Sequence, residues 1–216
     1  MSEDRKKLPS DCYLFLLGDI SVGKTALFKK IGGAKFEEKI ISSIGIDKKT
    51  LYYDSNLLKE HDIDLKDDDS FILYDTLGDK DQLKTMKNFL GEPDGVVIVY
   101  DISNPKSLEN IDSWIQFVKE NYHIKYDNTI FLLGNKKDKQ EGKENSKPVS
   151  EEEANNICKS KNLIWGGEVS AKDCSQAELL EIFLKFFKII IENKQKEPEN
   201  LPNKNKKKKG CCPCLE

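Results

Sequence analysis

Gly18-Asp19-Ile20-Ser21-Val22-Gly23-Lys24-Thr25 decides the reading of this 216-residue chain. An apolar run, Tyr13-Leu14-Phe15-Leu16-Leu17, precedes it and reads as a buried strand. Ala26-Leu27-Phe28-Lys29-Lys30-Ile31 follows it and reads as the opening of a helix. Strand, glycine-bounded loop and helix form the setting of a phosphate-binding loop. Gly18 and Gly23 let the backbone turn without Cβ clashes. Successive backbone N–H groups then face inward as an anion-binding concavity, and the helix adds its positive end. Lys24 supplies a full charge for β- and γ-phosphates, and the Thr25 hydroxyl is placed to ligate Mg²⁺. The alternative, a chance match in a glycine-containing βα turn, weakens as the rest of the chain is read.

Length and composition predict one domain with a tail. No apolar run reaches the roughly 20 residues of a membrane span. Met1-Ser2-Glu3-Asp4-Arg5-Lys6-Lys7 has no apolar stretch behind its charges, so neither a secretory signal nor, without Gly at position 2, myristoylation is expected. Residues 193–216 carry seven Lys and three Glu, net +4; with −3 overall, the remainder carries −7. An acidic body with a basic tail argues against nucleic acid as a partner and points the tail towards a negative surface. Cys12, Cys158 and Cys174 lie among apolar segments and read as core thiols, while Cys211, Cys212 and Cys214 cluster near the C-terminus. No spacing implies a disulfide framework, which fits a reducing cytosol.

In chain order, residues 47–54 and 70–75 read as strands, with 59–69 as a solvated acidic hairpin tip carrying an exposed His61. A calcium loop fails there, because Asp67 stands where the sharp-turn glycine belongs and Leu73 where the bidentate Glu belongs. Asp75-Thr76-Leu77-Gly78 ends a strand, and 80–90 reads as a polar helix. Val96–Tyr100 and Ile130–Leu133 read as buried strands, and Leu108–Glu120 as an amphipathic helix. Gly134-Asn135-Lys136-Lys137-Asp138 follows the second of those strands, then a polar loop over 139–149. Ser150-Glu151-Glu152-Glu153 is a capping box for a further helix. Leu163–Val169 reads as a strand ending at Ser170-Ala171-Lys172, and Leu179–Ile191 as the last helix, with Leu180, Phe183, Phe187 and Ile190 inward. These elements predict an α/β fold: a doubly wound, mostly parallel six-stranded sheet with helices on both faces. Every candidate motif falls at a strand's C-terminal end, where such sheets bind ligands.

Gly18–Thr25, Asp75–Gly78, Asn135–Asp138 and Ser170–Lys172, in this order and spacing, resemble a Ras-superfamily small GTPase with the P-loop NTPase fold, over residues 11–192. The resemblance implies GTP/GDP and Mg²⁺ as ligands. It assigns nucleotide contacts to Gly18, Asp19, Ile20, Ser21, Val22, Gly23, Lys24, Thr25, Ala26, Phe36, Ser43, Asp75, Gly78, Asn135, Lys136, Asp138, Ser170, Ala171 and Lys172. Within that set, Asp138 takes two hydrogen bonds from guanine, Asn135 buttresses the loops, the Lys136 stem lies along the base, the Ala171 N–H meets the guanine oxygen, and Phe36 stacks on it. Thr25 and Ser43 ligate the metal, with Asp75 behind them. Lys24, Ser43 and Gly78 serve catalysis, with Asp79 in the place of the family's glutamine.

Within the superfamily the chain is most similar to Rab proteins. Ile41–Asp47, Val97–Asn104, Ser107–Asn110 and Trp114-Ile115 carry that similarity, and so does the tail, Lys206–Lys209 then Cys211-Cys212-Pro213-Cys214. It implies a flexible N-terminus over 1–10, a GTPase domain over 11–192 and a disordered tail over 193–216, doubly geranylgeranylated on two of the three cysteines. Because Cys214 is third from the end, the tail is not a CaaX box. A metal or redox site at these cysteines lacks further ligands. The implied partners are effectors at 36–47 and 75–90, an exchange factor, a GTPase-activating protein, prenylation escort and dissociation-inhibitor proteins, and the cytoplasmic face of endomembranes or plasma membrane. The protein is expected to be monomeric, with a cytosolic pool.

Several positions depart from the family pattern. Asp79 adds charge near the γ-phosphate and offers no amide. Ile20 is branched where the family has a small residue and is expected to crowd the attacking water and any arginine finger. Leu77 replaces Ala, and Ser43 replaces Thr. Residues 87–95 lack the aromatic pair of Rab proteins, and the hairpin between Gly45 and Asp75 is long. The expectation is firm nucleotide binding with slow hydrolysis: a membrane-anchored switch in vesicle trafficking or, as the alternative, a GTP-state recruiter of effectors with little catalysis.

Overall fold

The computed structural model describes residues 11–37, 45–63, 70–124, 128–139 and 148–196. Six strands, β1 (Asp11–Leu17), β2 (Asp47–Leu51), β3 (Ser70–Asp75), β4 (Gly95–Asp101), β5 (Ile130–Asn135) and β6 (Ile164–Glu168), form one sheet in the order β2-β3-β1-β4-β5-β6. Only β2 runs antiparallel to its neighbour, β3. The α/β, mostly parallel, doubly wound reading therefore holds.

Side-chain alternation divides the core in two. Leu14 and Leu16 of β1, Val97 and Val99 of β4, and Phe131 and Leu133 of β5 face α1 (Lys24–Ile31) and α7 (Gln176–Lys196). Phe15, Leu17, Val96, Ile98, Tyr100 and Leu132 face the opposite layer. That layer holds α3 (Lys80–Leu90), α5 (Ile111–Asn121) and α6 (Glu151–Lys161). Central strands covered on both faces need unbroken apolar runs, and β4 is buried along its whole length.

Local signals explain several boundaries. The Ser150 hydroxyl accepts from the Glu153 N–H at 3.2 Å and starts α6, as the capping box predicts. The stretch read as an acidic hairpin differs. β2 ends at Leu51, and the Asp54 carboxylate accepts from the Asn56 N–H at 2.8 Å, capping a short helix α2 (Ser55–Glu60). Leu57 and Leu58 of α2 pack on the core, and His61, expected to be exposed, closes the helix half-buried. Residues 64–69 lie outside the described set. The helix expected over 108–120 is two: α4 (Pro105–Glu109), with proline in its first turn, and α5, meeting at Asn110. In α7 it is Leu179 that is fully buried, with Leu180 only partly so.

The last helix also runs past its expected end at Ile191, to Lys196, into residues expected to belong to the tail. Lys194 pairs with Asp94 at 2.7 Å, both side chains largely buried, and donates to the Asp11 carbonyl at 3.1 Å. Asp94 in turn accepts from the Tyr13 N–H at 2.9 Å. This pin closes the end of the sheet away from the loops described next.

Candidate nucleotide site

At the C-terminal edge of the sheet, a cavity of about 410 Å³ opens between the phosphate loop and the loops after β3, β5 and β6. Lys24, Thr25, Ala26, Gly23, Ser21 and Ile20 line it from the first loop, Gly78 and Asp79 from the second. Asn135, Lys136 and Asp138 line it after β5, and Ala171 and Lys172 after β6. Phe36 lines it as well and is 36% exposed. Most residues assigned by resemblance therefore meet at one cavity. Gly18, Asp19, Val22, Asp75 and Ser170 stand behind its wall, and Ser43 lies outside the described residues, as do the tail cysteines.

The loop is held in a narrow curl. Gly23 has φ +99°, and a Cβ there would run into the Asn135 amide nitrogen. The Lys24 ammonium donates to the Gly18 and Asp19 carbonyls, each at 2.8 Å. Burial lowers its pKa to about 8, against the pull of Asp75 and Asp19. A partly desolvated cation held at the centre of a ring of backbone is built to receive an anion.

Asn135 ties the walls together. Its Nδ2 donates to the Val22 carbonyl at 3.0 Å, and its Oδ1 accepts from the Ala171 N–H at 3.1 Å. Ser170 donates to the Asp138 carboxylate at 2.9 Å, which fixes that carboxylate's orientation. Lys136, at φ +66°, bonds the Ser21 carbonyl at 2.6 Å and Asp101 at 2.7 Å. Burial opposes ionisation of Asp101, but the bonds from Lys136 and Ser103 outweigh it and hold its pKa low.

Asp75 is fully buried, and neither carboxylate oxygen has a hydrogen bond of ordinary geometry. Burial raises its pKa, opposed by the Thr25 hydroxyl and the Lys24 charge nearby; Asp47 across the β2–β3 ladder adds to the rise. A buried carboxylate with no hydrogen bond of ordinary geometry, beside the Thr25 hydroxyl at the mouth of an anion pocket, fits a hard divalent cation. Among the described residues no three His, Cys, Asp or Glu side chains gather into a cage. A cation here would complete its shell with phosphate and water, as Mg²⁺ does.

Asp79 shows a second role. Its carboxylate caps α3, accepting from the Asp81 N–H at 2.9 Å and the Gln82 N–H at 3.1 Å. Gly78 packs so closely on the phosphate loop that a Cβ would lie 2.5 Å from the Ile20 nitrogen. The Ile20 side chain stands at the cavity lip, 61% exposed.

Sequence reasoning placed Asp19 at the site but missed its tether, and it missed Lys80 and Gln82 altogether. Asp19 accepts from the Trp114 indole at 2.8 Å and the Asn110 amide at 2.7 Å, tethering the phosphate loop to α5. Lys80 lies over the Trp114 ring at 4.6 Å and bonds Ser113, so α3 docks on the same indole. Gln82 lines the cavity beside Asp79. Asp19 and Trp114 are 95 residues apart, and no local pattern marks such a pair.

A model of the Ras family matches residues 13–192. Among curated relatives, "Ras-related protein Rab-32D" of Dictyostelium discoideum is 32% identical over 194 residues, covering 87% of this chain and 76% of the relative. "Ras-related protein Rab-7b" of Paramecium octaurelia is 29% identical over 213 residues, covering 92% and 95%. "Ras-related protein SEC4" of Candida albicans is 31% identical over 185 residues, covering 85% and 79%.

Proposed function

The chain belongs to the Ras family, and on that footing we propose that it is a Rab-like small GTPase: a guanine-nucleotide switch acting at membranes in vesicle trafficking. The observation that carries this reading is that one cavity takes in both Lys24, suited to phosphate, and Asp138, suited to guanine.

Asp138, aligned by Ser170, accepts from guanine's N1–H and exocyclic amine. Adenine offers an acceptor and a misplaced donor there, leaving the carboxylate unpaired. Such a mismatch discriminates by about 10⁴. The Ala171 N–H keeps its bond to Asn135 and is shared with the guanine oxygen as a three-centre donor. Phe36 covers the base. At the other end, the loop amides and Lys24 take the phosphates. Thr25, with Asp75 behind it and Ser43 as the family's further ligand, would hold Mg²⁺, whose charge neutralises that developing on the β- and γ-oxygens. The Gly78 N–H reports the γ-phosphate, and the segments 36–47 and 75–90 respond to it. Those segments are the effector surface, read also by an exchange factor and an activating protein.

Hydrolysis is slow in this reading. Asp79 offers no amide donor, its carboxylate is engaged by α3, and Ile20 occupies the lip. This favours a long-lived GTP state that recruits effectors. Two of Cys211, Cys212 and Cys214 carry prenyl chains, and Lys206–Lys209 adds attraction to anionic lipid; two such signals give stable anchoring. The protein acts as a monomer, with escort and dissociation-inhibitor proteins maintaining a cytosolic pool.

The test is competition against fluorescent GDP, followed by single-turnover hydrolysis. GTP should compete about 10⁴-fold better than ATP. Asp138→Asn should abolish that preference and favour xanthine nucleotides, whose 2-carbonyl accepts where guanine donates. The native hydrolysis rate should lie at or below about 10⁻⁴ s⁻¹. Equal competition by ATP would overturn the nucleotide assignment. A native rate far above that scale would overturn the slow-turnover reading alone.

A further inference from the structure

We propose that Gln82 is the residue that orients the attacking water in this chain, with Asp79 fixing its amide. The proposal rests on the GTPase reading above and names a positioning residue for that reaction. Gln82 lies in the first turn of α3, three residues after Asp79, so the two side chains share a helix face. It is the residue of α3 that lines the cavity, together with Lys24, Thr25 and Gly78. Its Nε2 donates to Asp79 Oδ2 at 3.4 Å, while its backbone N–H donates to Asp79 Oδ1 at 3.1 Å.

The chemistry fixes which way the amide faces. An ionised carboxylate only accepts, so the NH₂ must turn towards Asp79 and the carbonyl Oε1 away from it. A carbonyl oxygen turned away from Asp79, on a residue that lines the cavity, is an acceptor of the kind an attacking water needs for one of its hydrogens. Asp79 suits that task poorly itself: it is an anion beside an anionic phosphate and already accepts from two backbone amides. Lys80 is engaged by Ser113 and the Trp114 ring. In the step itself, the water oxygen bonds to the γ-phosphorus as the bond from that phosphorus to the β–γ bridging oxygen breaks. GDP leaves with the bridging oxygen, and the water's proton ends on a phosphate oxygen. Gln82 is unchanged throughout.

A capping role alone would also place Gln82 beside Asp79, so the test must separate the two. Guanine-nucleotide affinity, thermal midpoint and single-turnover GTP hydrolysis are measured for the native full-length chain, Gln82→Ala and Gln82→Met, the last keeping length and packing. The expected result is hydrolysis slowed about tenfold or more in both variants, with GDP and GTP affinities unchanged within about twofold. If the native chain binds no guanine nucleotide, the GTPase reading fails, and this inference with it. If binding is intact and both variants hydrolyse at the native rate, this inference alone is overturned. It is equally overturned if the rate falls only in step with affinity or thermal midpoint, because Gln82 is then a cap.

Discussion

Replacing Asn135 with Ala removes the joint between three loops, and its cost follows from the contacts. The side chain is 1% exposed. The variant loses the bonds to the Val22 carbonyl at 3.0 Å and from the Ala171 N–H at 3.1 Å, each worth about 1 kcal/mol net. It also leaves a carbonyl and an N–H in a largely dry setting, since Val22 and Ala171 are 2% and 3% exposed. Orphaning such groups costs about 1–3 kcal/mol when water cannot reach them. Counted once per orphaned group, a cost that already includes the lost bond, the two come to about 2–6 kcal/mol, or roughly 30- to 20,000-fold in an equilibrium constant at 1.4 kcal/mol per decade. Both loops border the cavity, so the loss should fall mainly on nucleotide affinity, as faster release of fluorescent GDP in stopped flow. Asn135→Asp separates the two arms. It keeps an acceptor for Ala171 but sets an anionic oxygen against the Val22 carbonyl, and should release GDP faster than the alanine variant. Release within threefold of native in Asn135→Ala, with an unchanged melting midpoint, would falsify the buttress.

Lys24 predicts a pH dependence of two opposite signs. Burial places its pKa near 8 in the folded chain without nucleotide, against 10.5 ordinarily. Between those values the unfolded state holds more protons, so this group makes the empty protein more stable as pH rises from 8 to 10.5. Phosphate binding needs the charged form, so GDP affinity should fall over the same window, with proton uptake on binding seen by calorimetry in buffers of different ionisation enthalpy. At the far end of the sheet, Lys194→Met breaks a pair that is 6% and 16% exposed. Removing one partner of a buried pair costs about 3 kcal/mol or more, which lowers the midpoint of a domain this size by about 6 °C or more. Asp94→Ala should cost more, because it also frees the Tyr13 N–H and strands the ammonium; a scanning-calorimetry order reversed from this would refute the pin.

What the sequence made legible is what neighbouring residues determine. The strand–loop–helix of residues 11–31 rests on an apolar run, two glycines and a lysine within a few positions of one another. The α6 cap rests on Ser150 and Glu153 alone. Charge density hid α2, although Asp54 is a good N-cap and Leu57 and Leu58 provide an apolar contact. The break at Asn110 was hidden because Leu108, Ile111, Ile115 and Val118 keep helical spacing across it. The length of α7 depends on Lys194 finding Asp94, and the seat of the phosphate loop on Asp19 finding Trp114. Partners so distant in sequence leave no periodic trace.

Position 79 shows why a departure from a family pattern is more than a missing part. From the sequence, Asp79 is a glutamine lost and a charge gained. In the fold, the same carboxylate supplies a helix cap that glutamine provides poorly, since Asp leads and Gln is absent among favoured N-cap residues. Restoring glutamine with Asp79→Gln therefore changes two things at once: it offers an amide near the γ-phosphate and loosens the first turn of α3, where Gln82 sits. If Gln82 orients the water, loosening that turn should cancel part of what the new amide provides. The double variant Asp79→Gln plus Ile20→Ser would then recover less hydrolysis than the family pattern implies. Adding Gln82→Met to that variant distinguishes the two sources of the amide. A rate unaffected by the addition assigns the recovered turnover to residue 79, and a rate that falls again assigns it to the turn that Asp79 holds in the native chain.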